Sequence, residues 1–149
     1  MKRTDLGTVE ILLVEDNPRD VDLTLRAIKR HHLANTIHVA RDGQEALDYI
    51  LGDASHEGAE LAHRPKLVLL DLHLPKVDGI EVLRRLKADP KARIIPVVVL
   101  TSSAREADMV ASYQLGVNSY IQKPVDFGEF IECVAKMGFY WLLLNKAPE

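Results

Sequence analysis

Lys66-Leu67-Val68-Leu69-Leu70-Asp71 is a run of four apolar residues that stops on a carboxylate. Three other stretches end on a polar or charged group in the same way, two of them largely apolar and a third that closes the series. Val9-Glu10-Ile11-Leu12-Leu13-Val14 stops at Glu15-Asp16, Ile94-Ile95-Pro96-Val97-Val98-Val99-Leu100 stops at Thr101, and Asn118-Ser119-Tyr120-Ile121-Gln122 closes at Lys123-Pro124. Thr36-Ile37-His38-Val39-Ala40 is a weaker member of the series. Nearly continuous apolar runs, as opposed to alternation, are what a parallel strand covered on both faces requires.

The segments between these runs have helical spacing. Asn17 can cap the first helix, Pro18 fits its first position, and Asp20 suits its positive N-terminal end, with Val21, Leu25 and Ile28 on one face. Gln44–Leu51 follows Asp42-Gly43 as a second helix. Ile80, Leu83 and Leu86 mark a third that ends near Asp89-Pro90, because the residue before proline avoids helical angles. Ala104–Leu115 is a fourth, stopped by Gly116. A fifth runs from Asp126 to about Leu144. Five alternations of strand and helix predict an α/β, doubly wound, parallel sheet with right-handed crossovers and helices on both faces. The polar stretch from Gly52 to Arg64 reads equally as a functional loop or a tolerated surface insertion.

Bulk properties agree with one globular domain. The chain has 149 residues, 47% hydrophobic and 28% charged, near ordinary globular averages. A formal net charge of −3 gives no general attraction for nucleic acid or anionic lipid. Cys133 is a single cysteine and cannot form an internal disulfide, no apolar run approaches the roughly 18 residues that span a membrane, and the first residues lack a signal-peptide core. A soluble, cytoplasmic protein is expected.

In open α/β sheets, ligands sit beyond the carboxyl ends of the strands. Glu15, Asp16, Asp71, Thr101 and Lys123 stand at those ends and are expected to converge. Three neighbouring carboxylates raise one another's pKa, and a hard divalent cation such as Mg²⁺ relieves the repulsion. A lysine supplies a compact positive charge for phosphate oxygens, and the Thr101 hydroxyl can donate to another. A carboxylate on the central strand, Asp71, can then attack phosphorus. Taken singly, Asp16 could begin a turn, Thr101 could cap a helix, and Lys123 could be a surface residue. Their conjunction points to a site.

With these motifs in order, Leu12-Leu13-Val14-Glu15-Asp16-Asn17, Leu69-Leu70-Asp71-Leu72-His73-Leu74-Pro75 with Asp78-Gly79, Val98-Val99-Leu100-Thr101-Ser102, and Tyr120-Ile121-Gln122-Lys123-Pro124, the chain resembles the receiver domain of two-component response regulators over nearly its whole length. The resemblance implies a five-stranded flavodoxin-like fold with strand order 2-1-3-4-5 and five helices. It implies one receiver domain over 1–149 with a helical extension at about 138–149. Asp71 then corresponds to the phosphoacceptor. Asp16 corresponds to a direct Mg²⁺ ligand, joined by Asp71 and the backbone carbonyl of His73, with Glu15 acting through metal-bound water. Thr101 and Lys123 match the switch hydroxyl and the phosphate-binding lysine, and Tyr120 matches the aromatic switch residue. The Lys123-Pro124 bond is a candidate cis peptide.

The acid pair is Glu15-Asp16 where two aspartates are commoner, and His73 and Ser103 border the path of hydrolytic water in the family. The 53–64 loop, Asp89-Pro90, Val117-Asn118-Ser119-Tyr120-Ile121 and Phe139-Tyr140-Trp141-Leu142 are similar to small stand-alone regulators paired with phytochrome-type histidine kinases. Those often dimerise through the fourth helix, fifth strand and fifth helix. The aromatic C-terminal end cannot all face one core, which fits a dimer or partner surface.

The expected partner is therefore a sensor histidine kinase, with output by protein contact or onward phosphotransfer, and neither nucleic acid nor membrane is expected. Two rivals remain. One is a phosphatase of the haloacid-dehalogenase type, which usually carries an acid where His73 stands. The other is a phosphorylation-independent pseudo-receiver, which usually lacks one site residue. His31-His32 suit the end of the first helix, and Cys133 reads as a packing residue.

Overall fold

The computed structural model describes residues 10–30, 36–52, 61–102, 105–123 and 128. The expected fifth helix, the C-terminal aromatic end, Cys133, His31-His32, Ser103, Pro124 and most of the 53–64 loop lie outside the described residues. The elements are β1 (Glu10–Val14), α1 (Pro18–Arg30), β2 (Thr36–Ala40), α2 (Gly43–Leu51), β3 (Leu67–Leu70), α3 (Gly79–Ala88), β4 (Val97–Thr101), α4 (Glu106–Gln114) and β5 (Ser119–Gln122). The five strands form one sheet in the order β2-β1-β3-β4-β5, every pair parallel.

Burial on both faces explains the unbroken apolar runs. Leu12, Val14, Val68, Leu70, Val97 and Val99 point to one side. There they pack with Ala46, Leu47 and Ile50 of α2 and with Val82, Leu83 and Leu86 of α3. The alternate residues Ile11, Leu13, Leu67, Leu69, Val98 and Leu100 are just as buried but stand outside that cluster, on the opposite face. Val21 and Ile28 of α1 are likewise buried and outside it.

Local chemistry sets the helix ends. The Asn17 side chain accepts from the N–H groups of Arg19 and Asp20 at 2.9 and 3.1 Å, the capping role its position predicts. Asp42 and Asp78 cap α2 and α3 by accepting from Glu45 N–H and Glu81 N–H. At the end of α4, Gly116 N–H donates to Tyr113 O and Val117 N–H to Ser112 O, the paired bonds of a Schellman stop, with Gly116 at φ +97°.

β4 departs from the sequence expectation. The apolar run starts at Ile94, but the strand starts at Val97, and Ile94 is 67% exposed. Residues 91–95 are held in turns from two sides. The Asp89 carboxylate accepts from Lys91 N–H and Ala92 N–H, while the Lys87 ammonium donates to the carbonyls of Arg93 and Ile95. Asn118 then ties the start of β4 to β5, its N–H donating to Val97 O and its side-chain oxygen accepting from Val97 N–H.

The loop between β3 and α3 is clamped by two glycines. A Cβ on Gly79 would lie 2.4 Å from the carbonyl oxygen of Asp71, and one on Gly43 would lie 1.7 Å from that of Val77. Between them, Val77 N–H donates to Pro75 O across Lys76, which sits at φ +68° in a γ-turn with left-handed φ. Close approach of backbone to backbone therefore fixes the segment after Asp71. Gly79→Ala is expected to cost about 1–3 kcal/mol, the usual range for overpacking. Urea denaturation would read this as a lower midpoint with an unchanged slope.

Candidate functional site

Strand register assembles the site. Val14 pairs with Leu70, and Asp71 N–H donates to Val14 O at 3.0 Å, so the first residues beyond β1 and β3 are neighbours. Thr101 pairs with Gln122, and Lys123 N–H donates to Thr101 O at 2.7 Å, which sets Lys123 beside the end of β4. Glu15, Asp16 and Asp71 each offer a carboxylate oxygen within 4.8 Å of the others. Glu15, Asp71 and Thr101 are buried, and Asp16 is exposed. The expected convergence is thus found in space.

Lys123 joins these groups. Its ammonium donates to Glu15 Oε1 at 2.5 Å and to Asp20 Oδ2 at 2.9 Å, and lies 3.6 Å from Asp71 Oδ2. Burial disfavours the ammonium, but the hydrogen bonds to Glu15 and Asp20 and the charges of Asp71 and Glu15 outweigh it and raise its pKa. Glu15 is pushed up to about 7. Burial is the main cause, opposed by the Lys123 hydrogen bond, with the charge of Asp71 adding to the rise. Repulsion among the acids is therefore real, but for Glu15 it is secondary to desolvation.

Asp20 is the residue the sequence did not flag for this role. Its acidity was legible as favourable at the first turn of α1, yet its carboxylate turns to Lys123. The four-residue step from Asp16 to Asp20 was a signal for a shared side of the helix start, though nothing in the sequence tied that side to Lys123. The backbone N–H of His73 reaches Asp71 Oδ1 at 3.3 Å. Tyr120 is half-buried and packs against the core cluster from β5. Thr101 does not cap the next helix: α4 begins after Arg105.

The donor set suits a hard divalent cation, because three carboxylates at this spacing supply only oxygen and carry mutual repulsion that a cation removes. Three acids, a buried threonine and a lysine stand at the carboxyl edge of a five-stranded parallel sheet, where open α/β folds place their ligands. The sequence profile of the response regulator receiver domain matches residues 11–135, and the chain belongs to that family.

Similar proteins agree. A solved bacteriophytochrome response regulator, AtBRR, is 51% identical, with 90% of this chain and 95% of that one covered and a TM-score of 0.74. Response regulator Rcp1 of Synechocystis is 39% identical, with 89% of this chain and 88% of Rcp1 covered. Its Mn²⁺-bound crystal structure gives a TM-score of 0.73 at 38% identity, covering 95% and 99% of the two chains. The phosphorylated cyanobacterial phytochrome response regulator RcpA is 37% identical over 95% and 99% of the chains, with a TM-score of 0.68. The protein is a receiver-type response regulator of two-component signalling.

The raised Glu15 pKa has a definite sign. Between about pH 4.5 and 7 the folded chain holds a proton on Glu15 that the unfolded chain has lost, so the stability this group contributes declines as pH rises through that window. Wild type is expected to lose more stability than Glu15→Gln between pH 5 and 8 in paired urea titrations. An equal loss in both would show that Glu15 does not carry the effect.

Proposed function

We propose that Asp71 accepts a phosphoryl group from a sensor histidine kinase. The observation that carries this reading is the Lys123 ammonium 3.6 Å from Asp71 Oδ2, within a cluster whose three carboxylate oxygens lie within 4.8 Å of one another. Glu15, Asp16, Asp71 and the His73 carbonyl would hold Mg²⁺, Glu15 through a water. When bound, the cation supplies neutralising charge to the transferring phosphoryl oxygens. An Asp71 oxygen forms the new bond to phosphorus as the bond to the kinase imidazole breaks, and the nitrogen keeps the electron pair. Lys123 turns its charge from Glu15 and Asp20 toward the phosphoryl oxygens, and Thr101 donates a hydrogen bond to one of them. Burial of Asp71 at 6% exposure limits access by competing water.

Movement of Thr101 toward the phosphoryl group opens space for Tyr120, whose neighbours on β5 and α4 form the output surface. Met109 and Tyr113, one helical turn apart on α4, are both exposed there. The likeness to bacteriophytochrome response regulators supports a phytochrome-type kinase as donor and a homodimer through the fourth helix, fifth strand and expected fifth helix. The reading is of a cytoplasmic phosphoacceptor that changes state, not a turnover enzyme; among the described residues no helix is long and apolar enough to cross a membrane.

Intact-mass measurement after incubation with a small phosphoryl donor is expected to show a Mg²⁺-dependent gain of one phosphoryl group that Asp71→Asn abolishes. Absence of any gain, under conditions that label a known receiver, would overturn the phosphoacceptor role and favour an interaction module.

A further inference from the structure

A cleft of about 450 Å³ opens between the segment that follows Asp71 and the start of α4. Asp16, His73, Asp78, Arg105 and Asp108 line it, together with apolar residues that include Leu72. Asp16 belongs to the acidic cluster and Leu72 and His73 follow Asp71 directly, so a donor approaching Asp71 from this side passes the cleft. The other acids of the lining have partners of their own. Asp78 accepts from Glu81 N–H at the start of α3, and Asp108 stands 3.9 Å from Arg105 Nε.

The charges of this lining are unequal. Three carboxylates face one guanidinium, and engagement of Asp16 by a divalent cation leaves Asp78 and Asp108 opposite Arg105. Phosphoryl donors are anions, so the acidic lining opposes their approach, and the opposition grows with the charge on the donor. Arg105 is well placed to offset it. It precedes the first residue of α4, its side chain is 74% exposed, and its Nε lies 3.9 Å from the Asp108 carboxylate on the cleft.

We propose that Arg105 is a specificity-determining residue for the phosphoryl donor, offsetting the acidic lining of the cleft so that dianionic acyl phosphates of low molecular weight can reach Asp71. The inference rests on the phosphoacceptor reading of Asp71. With an acyl phosphate, the bond from phosphorus to the carboxylate oxygen breaks, a bond to an Asp71 oxygen forms, and the carboxylate leaves with the electron pair and needs no proton. With phosphoramidate, the phosphorus–nitrogen bond breaks and ammonia leaves with the protons the nitrogen already carries. The two donors deliver the same group to the same atom but differ in charge, two against one.

The test compares labelling rates with acetyl phosphate and with phosphoramidate on the full chain in Mg²⁺, followed by intact mass. The ratio of the two rates reports donor charge and cancels any general damage to Asp71. Arg105→Ala is expected to lower the acetyl phosphate to phosphoramidate ratio roughly threefold at low salt, Arg105→Glu is expected to lower it further, and Arg105→Lys should restore it. Added salt should narrow the difference between wild type and Arg105→Ala. An unchanged ratio in Arg105→Ala, whether both rates fall together or neither falls, would overturn the proposal while leaving the phosphoacceptor role intact. Failure of wild type to be labelled by either donor would sink the phosphoacceptor reading and this inference with it.

Discussion

The Lys123 ammonium, set against Glu15, Asp20 and Asp71, is the contact on which the carboxyl edge of the sheet depends. Parallel pairing carries the ends of β1 and β3 to one place, and both strands are followed by acids that repel. Burial itself disfavours the Glu15 carboxylate and the charge of Asp71 adds to the rise, as the raised pKa of Glu15 records. One half-buried cation from the far edge of the sheet offsets that repulsion. The same cation is near Asp71, so the group that steadies the resting site is also the group positioned to meet incoming negative charge.

Close backbone packing confines the segment that follows Asp71. Gly79 lies against the Asp71 carbonyl and Gly43 against the Val77 carbonyl, while Lys76 takes a left-handed φ between them. A segment so confined leaves little freedom to the atoms that follow Asp71. Beyond it, α2 is anchored at its other end by Tyr49, which donates to Glu10 and is stacked between His38 and His63 at 3.9 Å on each face. Burial, then the hydrogen bond and charge of Glu10, raise the Tyr49 pKa and keep the phenol protonated.

The strand series was legible because a buried parallel strand has to be apolar on both faces, and β2 is found at Thr36–Ala40 as the sequence indicated. The start of β4 was not. Ile94 and Ile95 read as strand because apolarity alone cannot distinguish a strand from a turn whose carbonyls are taken by a lysine side chain, here Lys87 from the preceding helix. Asp20 does stand in the first turn of α1 as expected, but its second role was not legible for a related reason: helix-start chemistry is local and visible, whereas its partner is 103 residues away.

By itself the sequence determined the alternation of elements, the class of sheet and the identities of the acids, hydroxyl and lysine at the strand ends, since each follows from short-range pattern and residue chemistry. Only the tertiary structure decided which of those groups touch, that burial outweighs charge repulsion at Glu15, that Asp20 joins Lys123, and that Arg105 borders the same cleft as Asp16. Distances between residues remote in sequence depend on register, crossover and packing of the whole sheet, and no local stretch of chain encodes them.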